Sequence, residues 1–233
     1  MNEQLAALPL WYLAFLFSLT CHEAAHALAA KWGGDLTAYD GGQVTLNPLP
    51  HIRREIFGTV VVPLLTYITG GWMMGWGSAP YNPYWQQRYP RRAAWMALAG
   101  PIANFAIVIA AAILIHIGIF TGFFSMPGMV GFDHIVGPGK SPLSEGFAQL
   151  VSILFSLNLL LGAFNLIPVP PLDGHSAIGL ILPESVALRI IEFGRNPMFS
   201  MMGLLVAWRL FDGVFPVLFG LGISLLYWSA RFT

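Results

Sequence analysis

Several apolar stretches in this chain are long enough to cross a lipid bilayer, and that limits the fold more than any motif does. The first, residues 8–32, reads LPLWYLAFLFSLTCHEAAHALAAKW. A hydrocarbon layer about 30 Å thick needs roughly 20 apolar residues in a helix. No water there can satisfy a free backbone N–H or C=O, so only helices and closed barrels are viable. The alternating segments of a barrel, about ten residues each, do not recur along the sequence. An all-α integral membrane protein follows. Composition agrees: 56% of the 233 residues are hydrophobic and 9% are charged, against about 25% charged in an ordinary soluble domain. A net charge of zero gives no footprint for nucleic acid. The single cysteine, Cys21, excludes an intrachain disulfide. The first apolar run has no Lys or Arg before Lys31 and is too long for the apolar part of a signal peptide.

Five apolar blocks are visible, at about 5–30, 56–78, 93–120, 146–167 and 197–230. They predict a polytopic helical bundle of about five to six transmembrane or re-entrant segments. Asp212, Gly213 and Pro216 interrupt the last block, which could therefore form two shorter helices. Residues 32–55 are polar and rich in Gly and Pro, with a short alternation in GGQVTL, and predict a small surface hairpin or loop. Residues 121–145 form a second such loop. Too little chain lies outside the blocks for a separate soluble domain. One membrane-embedded domain over 1–233 is expected, with its core in 1–182 and accessory helices in 183–233.

The chemistry lies in CHEAAH, residues 21–26. His22 and His26 are four apart, so a helix puts both imidazoles on one face, where they can chelate one metal ion. Glu23 stands beside them, placed to act on a water at that metal, as in the H-E-x-x-H pattern of zinc proteases. Ionisable groups at membrane depth are expensive and usually functional. The plain alternative is a set of polar side chains bonded to neighbouring helices. A catalytic zinc site usually has three protein ligands and one open position. Asp173, after the proline cluster in NLIPVPPLDG (165–174), is the carboxylate chosen as third ligand. It could instead cap a helix starting at Gly174, and His175 is a competing ligand.

HEAAH in an apolar helix, AGPIAN (99–104) opening a later one, and NLIPVPPLDG together resemble the site-2 protease family of intramembrane zinc metalloproteases (peptidase M50). GGQVTLNPLPHI (41–52) resembles its minimal bacterial members, which lack PDZ and CBS domains. The resemblance covers about residues 1–180. It implies one Zn2+ held by His22, His26 and Asp173, with Glu23 as the base. It implies that Asn104 and Asn165 support the substrate backbone or the oxyanion, where the plain alternative for each amide is an interhelical hydrogen bond. It also implies hydrolysis of a peptide bond within or near a transmembrane helix of another membrane protein. The alternative is an inactive relative that binds such helices without cutting them. Ser78 stands where minimal members often have Lys, and His175 where LDG is often followed by Gly.

The two ligand sets must meet at one depth. CHEAAH lies near the end of its block and Asp173 just beyond the fourth, so blocks one and four must run the same way. That requires an odd number of crossings between them, and block two, with Pro63 and Gly70, Gly71, Gly75 and Gly77, is the one predicted to enter and return. Lys31, Arg53, Arg54, Arg88, Arg91, Arg92, Arg189 and Arg195 then share a face with the site, while the opposite loop holds only Lys140. The positive-inside rule then places the zinc nearer the cytoplasm of a bacterial-type cell membrane. His51 reads as interfacial and His116 as facing another helix. Tyr81, Tyr84, Trp85 and Tyr89 read as an aromatic belt, Arg209 and Asp212 as a possible pair, and Asn158 as packing.

Overall fold

The computed structural model describes residues 2–228. The chain opens with α1 (Asn2–Gly33), then α2 (Thr37–Asp40) and α3 (Pro48–Arg54). A π-helical turn (Phe57–Val61) runs into α4 (Val62–Gly70), and α5 (Pro83–Arg88) precedes α6 (Pro90–Phe120). Two-residue strands β1 (Phe124–Ser125) and β2 (Gly137–Pro138) pair antiparallel in the next loop. Then come α7 (Ser144–Asn165), α8 (Asp173–Ala177), a 3-10 turn (Ile178–Leu180), α9 (Glu184–Gly194) and α10 (Pro197–Leu226).

Four of these helices are long and apolar enough to cross a membrane: Gln4–Gly33, Pro90–Phe120, Ser144–Asn165 and Pro197–Leu226. The first has 30 residues, so it is about 45 Å long. A fifth apolar helix, Phe57–Gly70, is shorter. The outer faces of α6 and α10 expose Ile109, Ile113, Ile117, Leu205, Val217 and Leu225. Such a surface suits lipid, since soluble proteins rarely expose apolar patches this large.

Helices α1, α6 and α7 form the core. Trp11, Phe15 and Leu19 of α1 share a cluster with Ile153 and Leu157 of α7. Trp11 stacks on Phe132, ahead of α7, while Ser18 meets Asn158 further along both helices, so α1 and α7 run parallel. On α6, Met96 faces His26 and Asn104 faces His22, so α6 runs antiparallel to both. One long helix therefore separates the two that carry the motifs.

The segment 57–78 doubles back on itself. At its far end Tyr67 exchanges hydrogen bonds with Gln4, through its hydroxyl to the Gln4 carbonyl and from the Gln4 amide to its own carbonyl. Gly71 ends α4 at φ 76°, a left-handed cap that suits glycine. The chain then returns extended, and the Trp76 N–H donates to the Gly58 carbonyl at 3.1 Å. The two ends of the segment are side by side. Gly58 and Gly75 permit this, since a Cβ on either would collide with the other arm's backbone.

Three short sequences set helix starts in the same way. Asn47, Asn82 and Asn196 each accept a backbone N–H with the side-chain oxygen, and each is followed by Pro. An Asn cap and Pro at the first helical position are both favoured there.

Several expectations are corrected. Residues 32–55 hold two short helices rather than a hairpin. The alternation in GGQVTL makes no strand: these residues form the turn and bends between the two helices. α10 is one continuous helix through Pro216. A proline removes one backbone bond, a loss that apolar spanning helices tolerate. No ion pair joins Arg209 to Asp212 among the described residues. His51 is buried, with its Nε2 on the Thr45 carbonyl. His116 is exposed and bonds the Ala112 carbonyl of its own helix. Trp85 is buried under Ala30, Ala93 and Met96 rather than lying in a belt, while Tyr84 is exposed.

Candidate metal centre

His22 and His26 lie one turn apart on α1, both buried. Their Nε2 atoms are 3.0 Å apart. Asp173 reaches them from the first turn of α8, with Oδ2 3.1 Å from His22 Nε2 and Oδ1 3.3 Å from His26 Nε2. Asp173 caps nothing: Leu172 holds the cap position, without a side-chain hydrogen bond. The loop 166–172 delivers the carboxylate after α7 ends. Gly174 is required there, because a Cβ would collide with the Leu166 and Ile167 carbonyls.

The three ligand atoms suit a cation. His26 Nδ1 faces the Met96 carbonyl at 2.7 Å and His22 Nδ1 faces the Asn104 side-chain oxygen at 2.6 Å. Both are acceptors, so each ring carries its proton on Nδ1 and turns an Nε2 lone pair inward. Two lone pairs and a carboxylate then converge. Asp173 Oδ2 is buried without a hydrogen-bond partner. Ligands held 2.0–2.2 Å from a tetrahedral zinc lie about 3.3 Å from one another, and the separations here match. Among the described residues, His22, His26 and Asp173 form the group able to hold a metal ion.

Gly100 of AGPIAN makes room for the rings. A Cβ there would lie 2.5 Å from His22 Nε2 and 2.6 Å from its Cε1. Glu23 is buried on the same turn of α1, against the returning arm of 57–78. A Cβ on Gly77 would come within 2.8 Å of Glu23 Oε1. That arm is held by Ser78, whose hydroxyl donates to Glu55 at 2.6 Å and accepts from Arg54 Nε at 2.9 Å.

Asn104 is fully buried, with its oxygen on His22 and its NH2 on Asn158. Asn165 donates to the Leu161 carbonyl of its own helix at 3.0 Å. His175 is turned away from the metal cluster, with its ring packed at Gly194. Burial lowers its pKa below the ordinary histidine value. Ser18, Asn158 and Gly100 have places in or behind the site that sequence reading does not assign. For Asn158, its spacing of seven from Asn165 is the one signal, and it points to a shared helix stripe rather than to His22.

A family model described as "Peptidase family M50" matches residues 10–208. "Putative zinc metalloprotease YwhC" of Bacillus subtilis is 32% identical over 190 residues, covering 81% of this chain and 76% of that protein. "Putative zinc metalloprotease Rip2" of Mycolicibacterium smegmatis is 29% identical over 164 residues, covering 70% of this chain. Rip2 of Mycobacterium tuberculosis is 28% identical over the same length. The chain spans about half the length of the Rip2 proteins, 54% in each case. No solved structure matches.

Proposed function

Because the chain belongs to peptidase family M50, a family of zinc metalloproteases, we infer that it cuts its substrates inside the membrane. One observation carries this reading: His22, His26 and Glu23 lie buried, with Asp173 half-buried beside them, among helices long and apolar enough to span a bilayer. The bond cut would lie within or near a transmembrane helix of another membrane protein. We assign His22, His26 and Asp173 as the three zinc ligands, leaving one position open.

Zinc bound there supplies a Lewis acid for the scissile carbonyl and the attacking water. Glu23 takes the proton from that water and returns it to the leaving amine. A helical peptide bond is shielded by its own hydrogen bonds, so the substrate helix must unwind first. Gly or Pro near the bond lowers that cost. Asn104 holds His22 from behind, and a direct role for Asn165 at the substrate stays part of the proposal.

We further propose that 57–78 is re-entrant, giving four crossings and one returning segment. The contact of Trp76 with Gly58 supports this. The basic residues then gather on the site's face, which supports a site nearer the cytoplasm.

The test is Glu23→Gln. Cleavage of a membrane-protein substrate should fall by about 10² to 10⁴, the usual weight of a general base, while zinc content stays equal to wild type. Substrates that accumulate with the variant in native membranes then identify the target. Full cleavage by Glu23→Gln would remove Glu23 as base. Zinc without cleavage in the wild type, against every trapped partner, would favour the helix-binding relative.

A further inference from the structure

On the side of His22 away from Asp173, four buried side chains form a single file. His22 Nδ1 meets Asn104 Oδ1 at 2.6 Å. Asn104 Nδ2 donates to Asn158 Oδ1 at 2.8 Å. Asn158 Nδ2 donates at 2.8 Å both to the Leu154 carbonyl and to Ser18 Oγ. Ser18 in turn donates its hydroxyl proton to the Ala14 carbonyl at 2.6 Å. Ser18, Asn104 and Asn158 have no exposed surface, so no solvent can substitute for a missing partner.

The far end of the file decides the near end. A backbone carbonyl can only accept. The Leu154 carbonyl therefore demands the NH2 of Asn158, and the Ala14 carbonyl turns the Ser18 proton away so that Ser18 Oγ accepts as well. Asn158 must then point its oxygen at Asn104. Asn104 must give its NH2 to that oxygen and its own oxygen to His22. His22 is left with a proton on Nδ1 and a lone pair on Nε2. His26 reaches the same tautomer in one step, through the Met96 carbonyl.

We propose that Asn158, held by Ser18 and acting through Asn104, is a positioning residue that sets the metal-binding tautomer of His22. This rests on the reading of His22, His26 and Asp173 as a zinc site. Without Asn158, Asn104 is free to turn over and offer NH2 to His22 Nδ1. The ring proton then sits on Nε2, where Asp173 accepts it, and the metal-free site closes on itself. Partners behind a ligating imidazole typically change metal affinity 10–100-fold.

The experiment measures zinc affinity of the full chain in detergent micelles by competition with a chelator. Asn158→Leu is expected to weaken zinc about 10–100-fold. Asn104→Asp added to it should recover at least tenfold, since a carboxylate can only accept from His22 whatever residue 158 is. A loss caused by poor packing would not be recovered by adding a charge. In the metal-stripped wild type, the 15N signal of His22, assigned by its absence in His22→Gln, should show a protonated Nδ1. Undiminished zinc binding by Asn158→Leu, a loss that Asn104→Asp leaves unrecovered, or a wild-type His22 protonated at Nε2 would each overturn the proposal. A wild type that binds no zinc would instead overturn the metal site itself.

Discussion

Gly100 shows how a single missing atom shapes the site. The two imidazoles occupy the space where its Cβ would stand, and a methyl there would sit 2.5 Å from His22 Nε2. Gly100→Ala must displace His22, His26 or the backbone of α6. Expected is a loss of bound zinc of at least about tenfold, in line with disturbed support of a metal ligand, with cleavage lost in proportion. Metal analysis of purified protein checks it, and full zinc occupancy in the variant would refute this account of the glycine. The histidine pair of the candidate site was legible in the sequence because its spacing is a statement about one helix. His22 and His26 need only the 3.6-residue turn of α1 to meet. What stands behind them was not legible. Asn158 and Ser18 reach His22 through contacts 54, 82 and 140 residues apart in the chain, and no local pattern encodes such contacts. Asn104 was legible as a motif residue, yet its partners are His22 and Asn158 rather than open space beside the metal.

At the scale of elements, the returning segment 57–78 ties the metal centre to the surface loop. Its helical arm and extended arm touch where Trp76 bonds Gly58, and at the next residue Gly77 lies against Glu23. A methyl on Gly58 would strike the Trp76 carbonyl and lie 2.8 Å from the indole. Gly58→Ala should therefore push the extended arm off its seat while leaving His22, His26 and Asp173 alone. Cleavage should fall by about 10²-fold, the cost of roughly 1 Å of misplacement at a reacting centre, with zinc content unchanged. Equal loss of zinc and cleavage would mean that the arm supports the ligands instead. The doubling back of 57–78 is in keeping with the counting argument, since α1 and α7 run parallel with one long helix, α6, between them. The helix starts were harder to read. Asn47–Pro48, Asn82–Pro83 and Asn196–Pro197 are two-residue signals inside Gly- and Pro-rich stretches, where the same residues also mark turns. The reverse error occurred in α10, where Pro216 looked like a break but lies in a helix whose neighbouring residues are almost all apolar.

For the whole molecule, the arrangement of α1, α6, α7 and the returning segment makes a topological prediction. If 57–78 comes back to the face it left, the loops before and after it share a compartment. Contacts among these parts point the same way: Arg92 reaches the Gly33 carbonyl at 3.1 Å, and Arg54 reaches Ser78. The opposite loop is fastened elsewhere, by Ser152 on the Ile135 and Val136 N–H groups and by Tyr227 on the Ile135 carbonyl. Single cysteines in a Cys21→Ala background can read this out. Asp40, Tyr84 and Met129 are exposed positions on the three loops. In oriented membrane vesicles, an impermeant thiol reagent should label Asp40→Cys and Tyr84→Cys from the same side and Met129→Cys from the other. The basic residues that accompany positions 40 and 84, set against Lys140 on the other loop, predict that the shared side is cytoplasmic. Labelling of 40 and 84 from opposite sides would mean that 57–78 crosses, and the charge argument would fall with it, because Arg88, Arg91 and Arg92 would then face away from Lys31, Arg53 and Arg54.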